Sequence, residues 1–252
     1  MNYNRSLGRD IHIYSAKEPD LVLGGLILAS GMTNTNFYAM VEIVFIFTTN
    51  FTLRHRSGVV ITRDDGPIQP GDYFIVSAGT CATNNEALIS SLEAIHPGAR
   101  DGNFRTSVRD RDRRCVITET PVNERQVECG FRSGINACHI FPIAHNWLWE
   151  NKNYGRWVKD NIDDESEPSG SINSVRNGIL LRSDVHDWFN NYTLSIDPDD
   201  GYKIVAFNFD SRFGRSGARL NQAYVQSPDA PSKHLLRLHY RQAVLVNVRG
   251  GS

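Results

Sequence analysis

No C-x-x-C pair occurs among the four cysteines, Cys81, Cys115, Cys129 and Cys138, so neither a zinc ribbon nor a dense disulfide framework is expected. Four scattered thiols in 252 residues suit a reducing compartment. Long apolar runs are missing too. The most apolar stretches, "LVLGGLILASGM" (21–32) and "MVEIVFIF" (40–47), fall well short of the roughly 20 residues a spanning helix needs. The opening "MNYNRSLGRD" is polar, and no apolar signal region follows it. Excess charge is likewise lacking: the formal net charge is −1, so any polyanion site has to be a local patch. No internal repeat or low-complexity segment stands out. These absences lead us to expect a soluble intracellular protein, cytoplasmic or nuclear, with no membrane partner.

What is present is ordinary globular composition, 40% hydrophobic and 22% charged, enough for one large domain or two small ones. Residues 10–80 read as β-rich. "DIHIYSA" alternates Ile11 and Ile13 with polar neighbours, "FTLRHRSGVVI" suggests two strands about a Ser57-Gly58 turn, and "QPGDYFIV" is a turn leading into another strand. "NFYAMVEIVFIF" fits a buried helix or a strand. His12 and His55 sit in strand-like stretches and read as structural.

Helix signals begin at "TNNEALISSLEAIHPG" (83–98), where Thr83 and Glu86 have capping-box spacing and Pro97-Gly98 ends the run. A second helix is expected over 103–114, then a short strand "CVIT". Residues 145–170, with three tryptophans and the acidic run "DNIDDESE", read as a long surface insertion with few structural signals. Ser183 is placed to cap a helix holding His186, Phe189 and Asn190. "YTLSIDPDDGYKIVAF" predicts a hairpin, and the C-terminal "SKHLLRLHYRQAVLVNVRGG" an amphipathic helix ending at Gly250. We therefore expect an α+β protein, with a β-rich region over 1–82 and a second region over 83–252.

Chemistry concentrates in "NACHIFP" and "NGILLRSDVH". His186 and Asn190 are four apart on the expected helix and share a face, where an imidazole and an amide carbonyl can bind one divalent cation. Asn177 lies nine residues before His186, on the loop entering that helix. His139, on the "ACHIF" strand, has the chemistry of a general base for an attacking water. Taken singly each has a plain structural reading: a core histidine, a turn asparagine, a helix-surface histidine. Their combination favours a site.

These residues and their surroundings, "FRTSVRDRDRRCVIT", "CHIFP", "NSVRNGILLRSDVHDWF" and "LSI", resemble a fungal HNH endonuclease domain, and the flanking phrases are similar to that family as well. The resemblance implies a ββα-metal core hydrolysing phosphodiesters in DNA. It implies His139 as general base, Asn177 as the central asparagine, His186 and Asn190 at the metal, and one divalent ion (Mg, Mn or Zn). Three positions depart from the pattern. Cys138 stands where a metal-binding Asp or His is common, Asn190 where Asp is usual, and Glu119 where Gly would follow "CVIT". One carboxylate fewer weakens Mg²⁺ binding, and Cys138 with His186 favours a softer ion such as Zn²⁺, or none. An alternative expectation is a repurposed scaffold acting on a small molecule, as an isomerase or cyclase, with Trp147, Trp149 and Trp157 as pocket walls; a third is a binding-only protein. Lys233, Arg237 and Arg241 form a basic stripe on the last helix, and Arg105, Arg109, Arg111, Arg113 and Arg114 a second cluster. Either could contact phosphates or simply be solvated.

Overall fold

In the computed structural model, residues 7–89, 102–123, 125, 134–159, 170–208 and 214–250 are described. The chain divides into two units: Met1–Leu88 with Val205–Gly217 and Arg241–Ser252, and Ile89–Ile204 with Ala218–Tyr240.

Along the first unit run β1 (Ile11–Ser15), β2 (Glu18–Leu26), α1 (Asn34–Val44), β3 (Phe45–Phe47), β4 (Phe51–His55), β5 (Gly71–Ser77) and β6 (Cys81–Thr83). Four strands form a sheet in the order β2-β1-β5-β4, with β1 and β5 parallel and the other pairs antiparallel. Period-two alternation sends Ile11, Ile13, Leu53, Tyr73 and Ile75 to one buried face. The ambiguous "NFYAMVEIVFIF" resolves as helix and then strand. Thr33 and Asn36 close a capping box, and Phe37, Met40, Val41 and Val44 recur at three- and four-residue steps along the buried side of α1. Phe37 meets Tyr73 edge to face at 5.0 Å, which sets the helix on the sheet.

Two local expectations need correction here. After the Ser57-Gly58 turn the chain makes only an isolated bridge, Arg54 with Val60, not a second strand. No helix starts at Thr83, which lies in β6 against Phe45. The acceptors there serve other partners: Arg249 donates to the carbonyls of Asn84 and Glu86, and the Glu86 carboxylate binds Arg241 and Gln242. The rest of that expected helix, from 90 on, falls outside the described residues.

The second unit holds α2 (Gly102–Asp112), β7 (Ile135–His139), α3 (Asn146–Asn151), β8 (Gly178–Arg182), α4 (Ser183–Asn190), β9 (Leu194–Asp197) and α5 (Gln222–Val225); β10 (Lys203–Ala206) and α6 (Lys233–Val248) contribute residues to both units. The hairpin of β9 and β10 and the last helix form as their patterns predict. "CVIT" is a tight turn instead of a strand, because Cys115 N donates to Thr120 O and Glu119 N to Cys115 O, both at 2.8 Å. Arg182, not Ser183, is the residue that precedes α4, and Asp184 accepts the free amide of Val185. Within the expected insertion, residues 145–159 carry more regular structure than their composition suggests: they form α3 and a 3₁₀ turn over Tyr154–Val158, and Trp149 is buried there with its Nε1 donating to Gly170 O. The acidic run at 160–167 falls outside the described residues.

Candidate active site on a strand pair of the second unit

Strands β7 and β8 pair antiparallel with His139 opposite Gly178 and Cys138 opposite Ile179. Helix α2 packs on this strand pair, Phe104 and Val108 meeting Leu180 of β8. Gly178 is required by that approach, since a Cβ there would stand 2.5 Å from Val108 Cγ2 and 2.8 Å from the Phe104 ring. The Phe104 ring also stacks on the His139 imidazole, centroids 3.8 Å apart and 8° from parallel. His139 Nε2 lies 3.1 Å from Asn173 Oδ1, and an amide oxygen can only accept. The neutral tautomer that satisfies this bond carries its proton on Nε2. Asn173 is a site residue that the sequence reading passed over; the only signal was its place in the "SINS" stretch ahead of Asn177.

Asn177 is not on a loop entering the helix, as its spacing suggested. It ends a 3₁₀ turn, and the whole of β8 stands between it and α4. Its side chain is fully buried and spent on backbone: Oδ1 accepts from Phe141 N at 2.9 Å, and Nδ2 donates to Ile172 O at 2.8 Å and Phe141 O at 3.2 Å. Its own carbonyl accepts from Ile140 N at 2.9 Å. Asn177 thus clamps the chain leaving β7 directly after His139, and its contribution is positional.

His186 and Asn190 do share one face of α4. Asn190 Nδ2 is 3.3 Å from His186 Nδ1 and 3.4 Å from Nε2, while the Cys138 thiol donates to Asn190 Oδ1 at 3.3 Å. The three positions that would surround an ion in an HNH site are therefore brought together, and they form a chain of neutral groups. Burial pushes the Cys138 thiol far above its ordinary value and pushes His186 down, the latter partly opposed by Asp187. Asp187, 3.7 Å from His186 Nδ1, is largely exposed. Among the described residues no group of three or more His, Cys, Asp or Glu could hold a metal, and the Cys138, Asn190 and His186 side chains themselves include no carboxylate. This donor set does not fit Mg²⁺ or Ca²⁺, which rely on carboxylate oxygens.

The other expected site residues have partners within the protein. Lys233 and Arg237 both pair with Asp199, and Arg241 pairs with Glu86. Arg111 is bound to Asp112 and to backbone carbonyls, and Arg109 donates to Ile135 O. Trp147 is exposed, Trp149 is packed against Phe141, and Trp157 stacks on Tyr154 and His234.

Residues 115–197 match a protein-family model described as HNH endonuclease, and residues 8–82 match a domain of unknown function (DUF8573). No curated protein and no solved structure matches the chain. No helix among the described residues is long and apolar enough to cross a membrane. The first of these spans contains His139, Asn173, Asn177, His186 and Asn190, so the segment that carries the candidate site is similar to HNH endonucleases.

Proposed function

We propose that the second unit is a nuclease-like HNH domain of the ββα type, acting on phosphodiesters with His139 as general base. The observation that carries this reading is the His139–Asn173 pair at the end of β7, inside the matched span. Asn173 fixes the tautomer, Phe104 fixes the ring plane, and Asn177 holds the backbone next to it. In the proposed reaction Nδ1 takes the proton of a water as its oxygen attacks phosphorus and the ester bond to the leaving oxygen breaks. His186, kept neutral by burial, is an acceptor rather than a cation at pH 7. No step is assigned to a metal, since the donors at 138, 186 and 190 do not suit the hard ions.

Cleavage of plasmid and single-stranded DNA in EDTA, Mg²⁺, Mn²⁺ or Zn²⁺ tests the reading. We expect cleavage that Mg²⁺ does not enhance and that His139→Ala lowers by roughly 10²–10⁴-fold, the usual worth of a positioned base. Failure to observe His139-dependent cleavage under all four conditions would sink it. The neutral Cys138–Asn190–His186 chain also favours a second reading, a repurposed HNH scaffold whose His139 moves protons on a small organic substrate. The same assay separates the two, because that reading requires no DNA cleavage at all.

A further inference from the structure

The 3₁₀ turn over Tyr154–Val158 builds an aromatic ladder in the second unit. Side chains three residues apart eclipse in that geometry, and Tyr154 and Trp157 accordingly stack, centroids 4.5 Å apart and planes 16° from parallel. His234, in the first turn of α6, lies against Trp157 as the next rung, at 5.6 Å and 15°. At the other end the Phe141 ring meets Tyr154 edge to face at 5.3 Å. Phe141 follows closely after His139, and Asn177 holds its backbone at both N–H and carbonyl, so the ladder is tied to the strand of the candidate site. Trp157 and His234 are only half-buried, which leaves the far end of the ladder in reach of solvent.

The charge around that end is positive. Arg156 is exposed, its guanidinium lies 5.6 Å from the Trp157 ring centroid, and among the described residues its side chain makes no ion pair. Lys233 and Arg237 share the one Asp199 carboxylate, and Arg237 Nη1 is 3.5 Å from His234 Nδ1. Three cations thus stand against one carboxylate, in a chain whose net charge is −1. Burial, reinforced by Arg237, Arg156 and Lys233 and opposed by Asp199, holds His234 below its ordinary value. Its ring is therefore neutral at pH 7 and stacks as an uncharged plane.

We propose that Trp157, His234 and Arg156 form a binding surface for single-stranded nucleic acid, with a base stacked on the His234 end of the ladder and a neighbouring phosphate on Arg156. The proposal deepens the nuclease-like reading, on which it rests, by naming the class of strand. The surface offers planes and positive charge together, and a nucleotide strand brings a planar group and an anion at every step. An acidic peptide brings the charge with few planes. Duplex DNA keeps its bases stacked within the helix, away from a protein ring.

Fluorescence anisotropy of a labelled oligothymidylate of about twelve nucleotides, titrated with the full chain carrying His139→Ala so that the strand stays intact, tests this. We expect saturable binding at low salt that His234→Ala weakens about tenfold, the scale of one lost base–ring stack. His234→Tyr keeps an aromatic plane and should stay within about threefold of the parent. Arg156→Ala should flatten the log–log salt slope by about 0.7, the value for one phosphate contact on a single strand. An abasic strand of the same length and charge should bind about tenfold more weakly. Equal affinity for the abasic strand or for a duplex overturns the proposal, as does affinity unmoved by His234→Ala. Absence of binding by both this chain and the native one overturns it too. Cleavage by the native chain alongside binding that ignores His234 fails this proposal alone, whereas His234-dependent binding without cleavage fails the hydrolytic reading alone.

Discussion

Two buried side chains set the residue-scale behaviour. Asn177 satisfies three backbone groups in a site with no water access, so Asn177→Ala removes three hydrogen bonds and strands their partners. At about 1 kcal/mol each, the expected loss is about 3 kcal/mol, read as a lowered urea midpoint. His239 is the second. It accepts from Ser195 Oγ at 2.7 Å, donates to Phe189 O at 3.1 Å and stacks on the Phe189 ring at 3.6 Å. Both ring nitrogens are thus used by the neutral form, and burial lowers its pKa from 6.5 to about 3. Because the folded value lies below the unfolded one, the unfolded chain binds the extra proton. Stability from this group is complete above about pH 6.5 and is lost as pH falls toward 3, by about 1.4 kcal/mol per pH unit. Urea unfolding from pH 7 to pH 4 should show that slope. A flat profile across the interval would mean His239 is not held neutral.

The antiparallel strands β7 and β8 and helix α4 are the elements on which the proposed chemistry turns. Replacing Cys138 and Asn190 together by Asp would put two carboxylates beside His186, where the native residues form a neutral chain. That doubly substituted protein should bind Mn²⁺ with a saturable calorimetric signal, and the native protein should not; equal binding by both would show that the native donors suffice. Much of this arrangement was legible in the sequence. The i, i+4 spacing placed His186 and Asn190 on one face, and strand alternation placed His139 on β7. What could not be read was long-range. Asn173 meets His139 only because β8 returns antiparallel to β7, and Asn177's three acceptors and donors are backbone groups with no signature in composition. The helix expected at Thr83 failed for the same reason, since Arg241, Gln242 and Arg249, more than 150 residues away in sequence, take up the groups that a helix cap would have used.

At the scale of the whole molecule, a net charge of −1 leaves little general attraction for nucleic acid, and the basic stripe of α6 is matched internally by Asp199 and Glu86. Arg237 and Lys233 hold the Asp199 carboxyl down to about 2. Such exposed pairs contribute roughly 0–1 kcal/mol each, so their removal is tolerable to the fold. Lys233→Ala and Arg237→Ala should therefore change DNA affinity by less than about twofold and leave its salt dependence nearly unaltered, whereas loss of a phosphate contact reduces the salt slope by about one. Anisotropy titrations of a labelled duplex between low and moderate salt measure both quantities. A clear drop in slope would assign the stripe to the substrate after all.

Gly178 carries one more consequence. A pair of antiparallel strands can in principle slip by a residue, and such a slip of β8 would bring a neighbouring side chain to the place where α2 leaves no room for even a methyl group. The absent Cβ thus acts as a detent that opposes a shift of β8 past α2, at the position paired across from His139.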